Sequence, residues 1–172
     1  MSAHGAPVHA DTAGYQAVFV GETRARLERL FASYPTKMAC LLPALWMVQE
    51  ARGWISEPAI NEVAEALELT PAYVKGVVTF YTMYHTHPVG RHFIQVCTTS
   101  PCNICGAEDV VKALLQATGC GELGATSPDG RFTVIEVECL GACGFPTPIL
   151  VDDDFIESVT PESVPGLLKR YA

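Results

Sequence analysis

The chain lacks any apolar run long enough to cross a bilayer. Its longest strongly apolar stretch, MACLLPALWMV at 38–48, contains Pro43 and falls well short of the ~20 residues a membrane span needs. No direct membrane insertion is expected. The chain is also poor in base, with 11 Lys and Arg against 19 Asp and Glu for a formal charge of −8. Nucleic acid and anionic lipid are held mainly by excess Lys and Arg, so this balance excludes non-specific affinity for either and leaves protein or small-molecule partners. The opening MSAHGAPVHADTAG has neither the cationic start nor the apolar stretch of a secretory leader, so a reducing, cytoplasmic setting is expected for the thiols. Charge is sparse throughout: 17% charged against 49% hydrophobic residues lets 172 residues bury one good core, or two small ones, without disulfides.

The apolar pattern changes period midway. Residues 1–21 read as a flexible tail. From Thr23 to about Met83 the spacing is helical. Leu27, Leu30, Phe31 and Tyr34 predict a first short helix, and TKMACLLPALWMVQEARG a longer one that Pro43 kinks and Gly53 ends. SEPAINEVAEALEL follows with Ser56 as N-cap and Ile60, Val63, Ala64 and Leu67 on one face. TPAYVKGVVTFYTMY opens with Thr70 as N-cap and Pro71 at the first helical position. Residues 22–84 are expected to form a helical bundle.

After HTHPVGR the period becomes two, and HFIQVC (92–97) and FTVIEVEC (132–139) predict strands. Between them GAEDVVKALLQATG predicts a helix burying Val111, Leu114 and Leu115. TPILV and FIESV flank Asp152, Asp153 and Asp154 as a hairpin, and TPESVPGLLKRYA closes the chain as a helix with Val164, Leu167, Leu168 and Tyr171 inward. The fold class expected is α+β, a helical bundle followed by a small α/β domain over residues 90–172.

What the chain does have is seven cysteines, an odd count that suits ligands better than a disulfide framework. Cys97 ends one predicted strand and Cys139 another; Cys102 and Cys105 lie in the turn after the first, and Cys143 just beyond the second. If the two strands are neighbours, their loops converge and four sulfurs can surround one centre. C-x4-C followed after 36 residues by C-x3-C is a specific signal for a metal centre. Structural zinc prefers C-x2-C knuckles, whereas a two-iron cluster is larger and suits the wider spacing. Gly141 and Gly144 let the backbone approach bridging sulfides, and the helix after Cys105 turns its positive end toward an anionic cluster. The competing reading is a thiol oxidoreductase at Cys102 and Cys105, a C-x-x-C at a strand-to-helix junction. It leaves Cys97, Cys139 and Cys143 unexplained. Cys105 is otherwise spare, expected as a packed thiol, and Cys40 is expected in the core.

Other motifs do not hold up. GCGELG (119–124) matches a dinucleotide fingerprint but follows a helix instead of a strand. Residues 56–84 have helix-turn-helix periodicity with Lys75 as the single base, too little to neutralise phosphates. His85 and His87 lack a third ligand nearby and read as loop residues.

Through YPTKMACLLPALWMVQEARGWIS, VVTFYTMYHTHPVGRHFIQVCTTSPC and ECLGACG, the chain from about Tyr34 to Tyr171 resembles the thioredoxin-like two-iron ferredoxins that form a small subunit of respiratory NADH:quinone oxidoreductase, complex I. The resemblance implies a thioredoxin-like ferredoxin domain carrying one 2Fe-2S cluster on Cys97, Cys102, Cys139 and Cys143, with no family ligand at Cys105. It also implies an electron-transfer subunit docked through its helical half on a flavoprotein, which holds NADH, FMN and a 4Fe-4S cluster. Other peripheral-arm subunits would join it, and the inner membrane would be met only through the complex. Related subunits serve NAD-dependent formate dehydrogenases and NAD-reducing hydrogenases, which the resemblance leaves open. Where the family often has Asn-Ala-Pro this chain has GFPTP (144–148), placing Phe145 beside the cluster to exclude water or to pack under the loop.

Overall fold

The computed structural model describes residues 14–171, which divide into two compact units between Pro88 and Val89.

The first unit is helical. Helix α1 (Gly21–Ser33) buries Leu27 and half-buries Leu30 and Phe31; it stops before Tyr34, whose extended backbone leaves the ring exposed. The single kinked helix predicted next is instead two elements. A 3₁₀ turn (Lys37–Cys40), capped by Thr36 Oγ1 accepting from Ala39 N at 3.3 Å, leads into α2 (Leu41–Arg52). Pro43 therefore lies in the first turn of α2, where a missing N–H costs no helical bond and no kink is needed. Gly53 ends α2 at φ 80°, as its sequence position implies, and donates to Gln49 O at 2.7 Å.

Helix α3 (Glu57–Leu67) buries Ile60, Val63, Ala64 and Leu67; Ser56 holds the cap position, but its buried hydroxyl makes no cap bond. Helix α4 (Pro71–Phe80) is capped by Thr70 Oγ1, which accepts from Tyr73 N at 3.3 Å, and it ends four residues earlier than the pattern suggests. The turn that follows is fixed by the buried Gln49, which donates to Met83 O at 2.8 Å and accepts from His85 N at 2.7 Å. Tyr84 is buried and donates to Leu42 O at 2.9 Å. Lys75, the lone base of the helix-turn-helix pattern, is paired with Glu57.

The flexible tail expected over residues 1–21 needs correction, because Tyr15, Val18 and Phe19 pack onto the bundle. Val18 and Phe19 are buried, and Glu62 accepts from Val18 N at 3.0 Å, from Phe19 N at 2.7 Å and from the Tyr15 hydroxyl. Arg52 donates to Gln16 O at 3.1 Å and stacks over the Tyr15 ring. The anchors, Glu62 and Arg52, lie far along the chain, so local composition could not reveal them. Residues 1–13 of the expected tail lie outside the described residues.

The second unit is built on a four-stranded sheet in the order β2-β1-β3-β4. Strand β1 (His92–Cys97) runs parallel to β2 (Phe132–Val137), pairing His92 with Phe132 and Cys97 with Val137. The crossover carries a one-turn helix α5 (Ser100–Ile104) and α6 (Ala107–Thr118). Strand β3 (Ile149–Val151) is antiparallel to β1, and the predicted hairpin carries it into β4 (Asp154–Ile156) through Asp152 at φ 53°. Helix α7 (Val164–Leu168) closes the unit. Ile94, Val96, Val134, Ile149 and Val151 form its core with Val110, Leu114 and Val164. The glycine pattern at 119–124 lies between α6 and β2, away from any strand-to-helix turn.

Candidate metal centre

Parallel pairing decides where the thiols meet. Because Cys97 pairs with Val137, the chain leaves β1 and β2 at the same edge, and Cys139 follows two residues beyond that register. Thr98 N donates to Val137 O at 3.2 Å and Cys97 N to Pro148 O at 3.2 Å, so the start of the loop is tied to both neighbouring chains. Helix α5 then brings Cys102 back until its Sγ stands 3.4 Å from Cys97 Sγ. The sequence places Cys102 in the turn opening the long helix; the structure puts it inside α5, with Gly106 at φ 92° between α5 and α6.

The two pairs of thiols live in different surroundings. Cys97 and Cys102 are only 2% and 1% exposed, and they pack with Ala107 and Leu140 in an apolar cluster of their own. Cys139 and Cys143 are exposed. Gly141, at φ 80°, turns its N–H toward Cys139 Sγ at 3.4 Å, a close approach of backbone to sulfur that the Cys-Leu-Gly spacing allows. Gly144 is not in the left-handed region.

The buried thiols respond oppositely to their setting. Burial pushes Cys97 up, but hydrogen bonding by the Thr99 hydroxyl and backbone, the Leu140 backbone and Cys102 outweighs it and brings the thiol down to about 7. Thr99 Oγ1 lies 3.3 Å from the sulfur. Cys102 is pushed up to about 11, first by burial, then by its bond to Cys97 and by negative charge on Cys97, Cys143 and Cys139. The other three sulfurs are thus close enough to oppose ionisation of Cys102, the condition a bound cation relieves. Among the described residues no three Cys, His, Asp or Glu side chains close around a single ion. Two pairs of thiols, one of them in contact, suit a centre of two metals better than a mononuclear zinc site.

Several sequence expectations need correction here. Cys105 is exposed, not packed, because it ends α5 on the outer side. It differs in exposure from Cys102, its buried partner in the thiol-oxidoreductase reading. Phe145 does not pack under the loop: the residue is 58% exposed, and it holds the loop by backbone bonds, donating to Ala142 O at 2.9 Å and accepting from Ser158 N at 3.0 Å. Cys40 is in the first core as expected, and Cys120 is buried with its Sγ 3.5 Å from Phe132 O. Thr99, Leu140 and Ala107 escape the sequence reading. A hydroxyl two residues after a candidate ligand is a usable signal, but Thr98 and Thr99 compete for it until the chain direction is known.

The model of the thioredoxin-like [2Fe-2S] ferredoxin family matches residues 27–172. The chain is 40% identical over 148 residues to a subunit of the NADH-quinone oxidoreductase of Pseudomonas aeruginosa, covering 86% of this chain and 89% of that one. It is 40% identical over 145 residues to NADH-quinone oxidoreductase subunit 2 of Thermus thermophilus, covering 83% and 80%. Against the mitochondrial NADH dehydrogenase [ubiquinone] flavoprotein 2 of Dictyostelium discoideum, identity is 37% over 155 residues, and the chain spans only 62% of that protein's length. Among solved structures, an NAD+-reducing [NiFe]-hydrogenase chain matches with a TM-score of 0.64 and 21% identity, over 77% of this chain and 22% of that one, a likeness of fold. With a family match across most of its length and bacterial relatives of nearly its own size, the chain belongs to the thioredoxin-like [2Fe-2S] ferredoxin family.

Proposed function

We propose that this chain is the electron-transfer subunit of an NADH:quinone oxidoreductase, holding one 2Fe-2S cluster on Cys97, Cys102, Cys139 and Cys143. The observation that carries the reading is the delivery of both cysteine pairs to one sheet edge by the parallel strands β1 and β2, with Cys97 and Cys102 in contact. The relatives' names favour the quinone-linked enzyme over a formate dehydrogenase or hydrogenase, since likeness to the hydrogenase is one of fold.

When bound, such a cluster takes up and returns one electron at a time. The chain's own residues set the terms. Cys97 and Cys102 hold the dry side, where Ala107 and Leu140 exclude water. Thr99 offers its hydroxyl to the Cys97 sulfur, and Gly141 its N–H to Cys139. Cys139 and Cys143 hold the side that faces outward, which shortens the path to an external donor.

That donor, in this reading, is an FMN- and NADH-binding flavoprotein with a 4Fe-4S cluster; NADH and FMN stay on it. Ile104 and Phe145, each two residues past a thiol, are 86% and 58% exposed, an apolar rim suited to a protein partner. In the helical unit Phe80, Tyr81 and Trp46 are exposed as well, with Trp46 and Tyr81 edge-on to Tyr84. Exposed aromatics of this kind are the usual anchors of an interface. Among the described residues no helix is long and apolar enough to cross a membrane. Membrane association would come through the complex.

The test is iron and sulfide analysis of the anaerobically purified chain, with electron paramagnetic resonance before and after dithionite. About two irons per chain and an S = ½ signal on reduction are expected. Cys97→Ser, Cys102→Ser, Cys139→Ser and Cys143→Ser should each lose or alter the cluster, while Cys105→Ser keeps it. Normal iron content and an unchanged signal in any of the first four would sink the ligand assignment. Ile104→Asp should weaken co-purification with the flavoprotein and leave iron content alone.

A further inference from the structure

Three thiols form a series from solvent inward. Cys105 is exposed and ends α5, its N–H on the carbonyl oxygens of Pro101 and Cys102 at 3.3 and 3.0 Å. Cys102 precedes it by three residues, the C-x-x-C spacing across one helical turn that closes redox-active disulfides. Cys102 Sγ in turn lies 3.4 Å from Cys97 Sγ, and both of those sulfurs belong to residues at most 2% exposed. A disulfide in solution reaches neither buried sulfur directly, but it reaches Cys105.

We propose that Cys105 is the entry thiol through which a low-molecular-weight disulfide, such as oxidised glutathione, oxidises the cluster-free chain and closes a Cys97–Cys102 disulfide across the metal site. The Cys105 thiolate attacks glutathione disulfide, forming a mixed disulfide and releasing one glutathione. Cys102 displaces the second glutathione and forms a Cys102–Cys105 bond. Cys97 then attacks the Cys102 sulfur it already touches, forming Cys97–Cys102 and returning Cys105 to the thiol. In total two protein thiols are oxidised and one glutathione disulfide is reduced to two glutathiones, with the thiol protons passing to the released thiols. That this bond shuts the site rests on the ligand assignment proposed above; the thiol exchange itself does not.

The experiment treats the full-length, iron-free chain with oxidised glutathione under argon, quenches aliquots with an alkylating reagent and maps the bonds by peptide mass spectrometry. The mixed disulfide should appear first on Cys105 and the end product should be Cys97–Cys102. Cys105→Ser should slow its formation by about tenfold or more, because the remaining route is attack on a buried sulfur. Equal rates in the wild type and Cys105→Ser overturn the relay, as does a Cys139–Cys143 bond that forms first. The mapped samples are then offered iron and sulfide before and after dithiothreitol. Loading that is lost on oxidation and regained on reduction supports closure of the site. Full loading of a chain whose Cys97–Cys102 bond is intact overturns the closure and the ligand assignment together. A reduced chain that never takes up iron refutes the cluster reading, while the bond map still decides the relay.

Discussion

Replacing Thr99 with Val should remove one hydrogen bond to Cys97 Sγ, a proposed cluster ligand, and little else. Thr99 Oγ1 lies 3.3 Å from Cys97 Sγ, and the residue stands at the N-cap position of α5 without using its side chain as a cap. Its backbone, at φ −64° and ψ 159°, is extended and open to a β-branched residue. Once the sulfur binds iron it carries no proton, so the hydroxyl is the donor. Reduction by one electron adds negative charge that the thiolates share, and the bond strengthens. Hydrogen bonds to charged groups are worth roughly 1.5–3 kcal/mol against roughly 0.5–1.5 for neutral ones, so about 1 kcal/mol of the difference favours the reduced state. A one-electron couple moves about 59 mV per factor of ten, or about 1.4 kcal/mol, so Thr99→Val should lower the midpoint by about 40 mV. Water cannot restore the bond at a cysteine that is 2% exposed. The assay is a potentiometric titration followed by the amplitude of the reduced-cluster resonance, with Thr99→Ser as the variant that keeps the hydroxyl. In the iron-free chain the same substitution should raise the Cys97 thiol from about 7, since burial would then act with less opposition. A midpoint unmoved within ~10 mV at full iron content, or moved upward, refutes the reasoning.

Two further substitutions test the scaffold. A Cβ on Gly90 would stand 2.6 Å from Phe132 C and 2.7 Å from Phe132 N, both backbone atoms at the start of the β1–β2 pairing. Gly90→Ala should therefore cost about 3 kcal/mol or more, at the top of the range for overpacking, read as a lower urea midpoint; an unchanged midpoint would show that the strand ends yield freely. Tyr84 is pushed up to about 12, first by burial and then by Tyr81, from an ordinary value of 10.0. A raised folded value means the unfolded chain releases the proton first, so this contribution is whole below pH 10 and fades as pH rises toward 12. Tyr84→Phe should flatten the alkaline loss of stability over that window and cost about 1 kcal/mol at neutral pH through the lost bond to Leu42 O. Parallel alkaline limbs in the two proteins would assign the loss elsewhere.

Elements whose cause is local are readable in the sequence. Thr70 and Pro71 start α4, Gly53 ends α2, and the alternation of HFIQVC gives β1 to the residue. Pro43 misleads because a kink and a helix start use the same residue, and only the 3₁₀ turn before it distinguishes them. Features whose cause lies far along the chain are not readable: the strap at residues 15–20 is held by Glu62 and Arg52. The cysteine spacing points to one centre only on the condition that two strands be neighbours, and the β1–β2 register supplies that condition. What spacing could not give is the contrast between a buried and an exposed pair, because exposure depends on Leu140 and Ala107 closing over one side.

That contrast links the two proposals. Ile104 is 86% exposed and adjoins Cys105, so a partner that covers the apolar rim also covers the entry thiol. Oxidative closure of the site is then confined to chains that have neither cluster nor partner, and assembly protects what it uses. The same contact removes water from Cys139 and Cys143, where a drier setting disfavours the added electron and lowers the potential. The expected outcome is that Cys105, alkylated readily in the isolated chain by a maleimide, becomes resistant in the complex with the flavoprotein, and that the cluster midpoint falls on binding. Ile104→Asp should restore alkylation by weakening that contact. Equal labelling of Cys105 in the free and the assembled chain would mean the partner docks elsewhere, and that the exposed thiol is a hazard the assembled enzyme carries too.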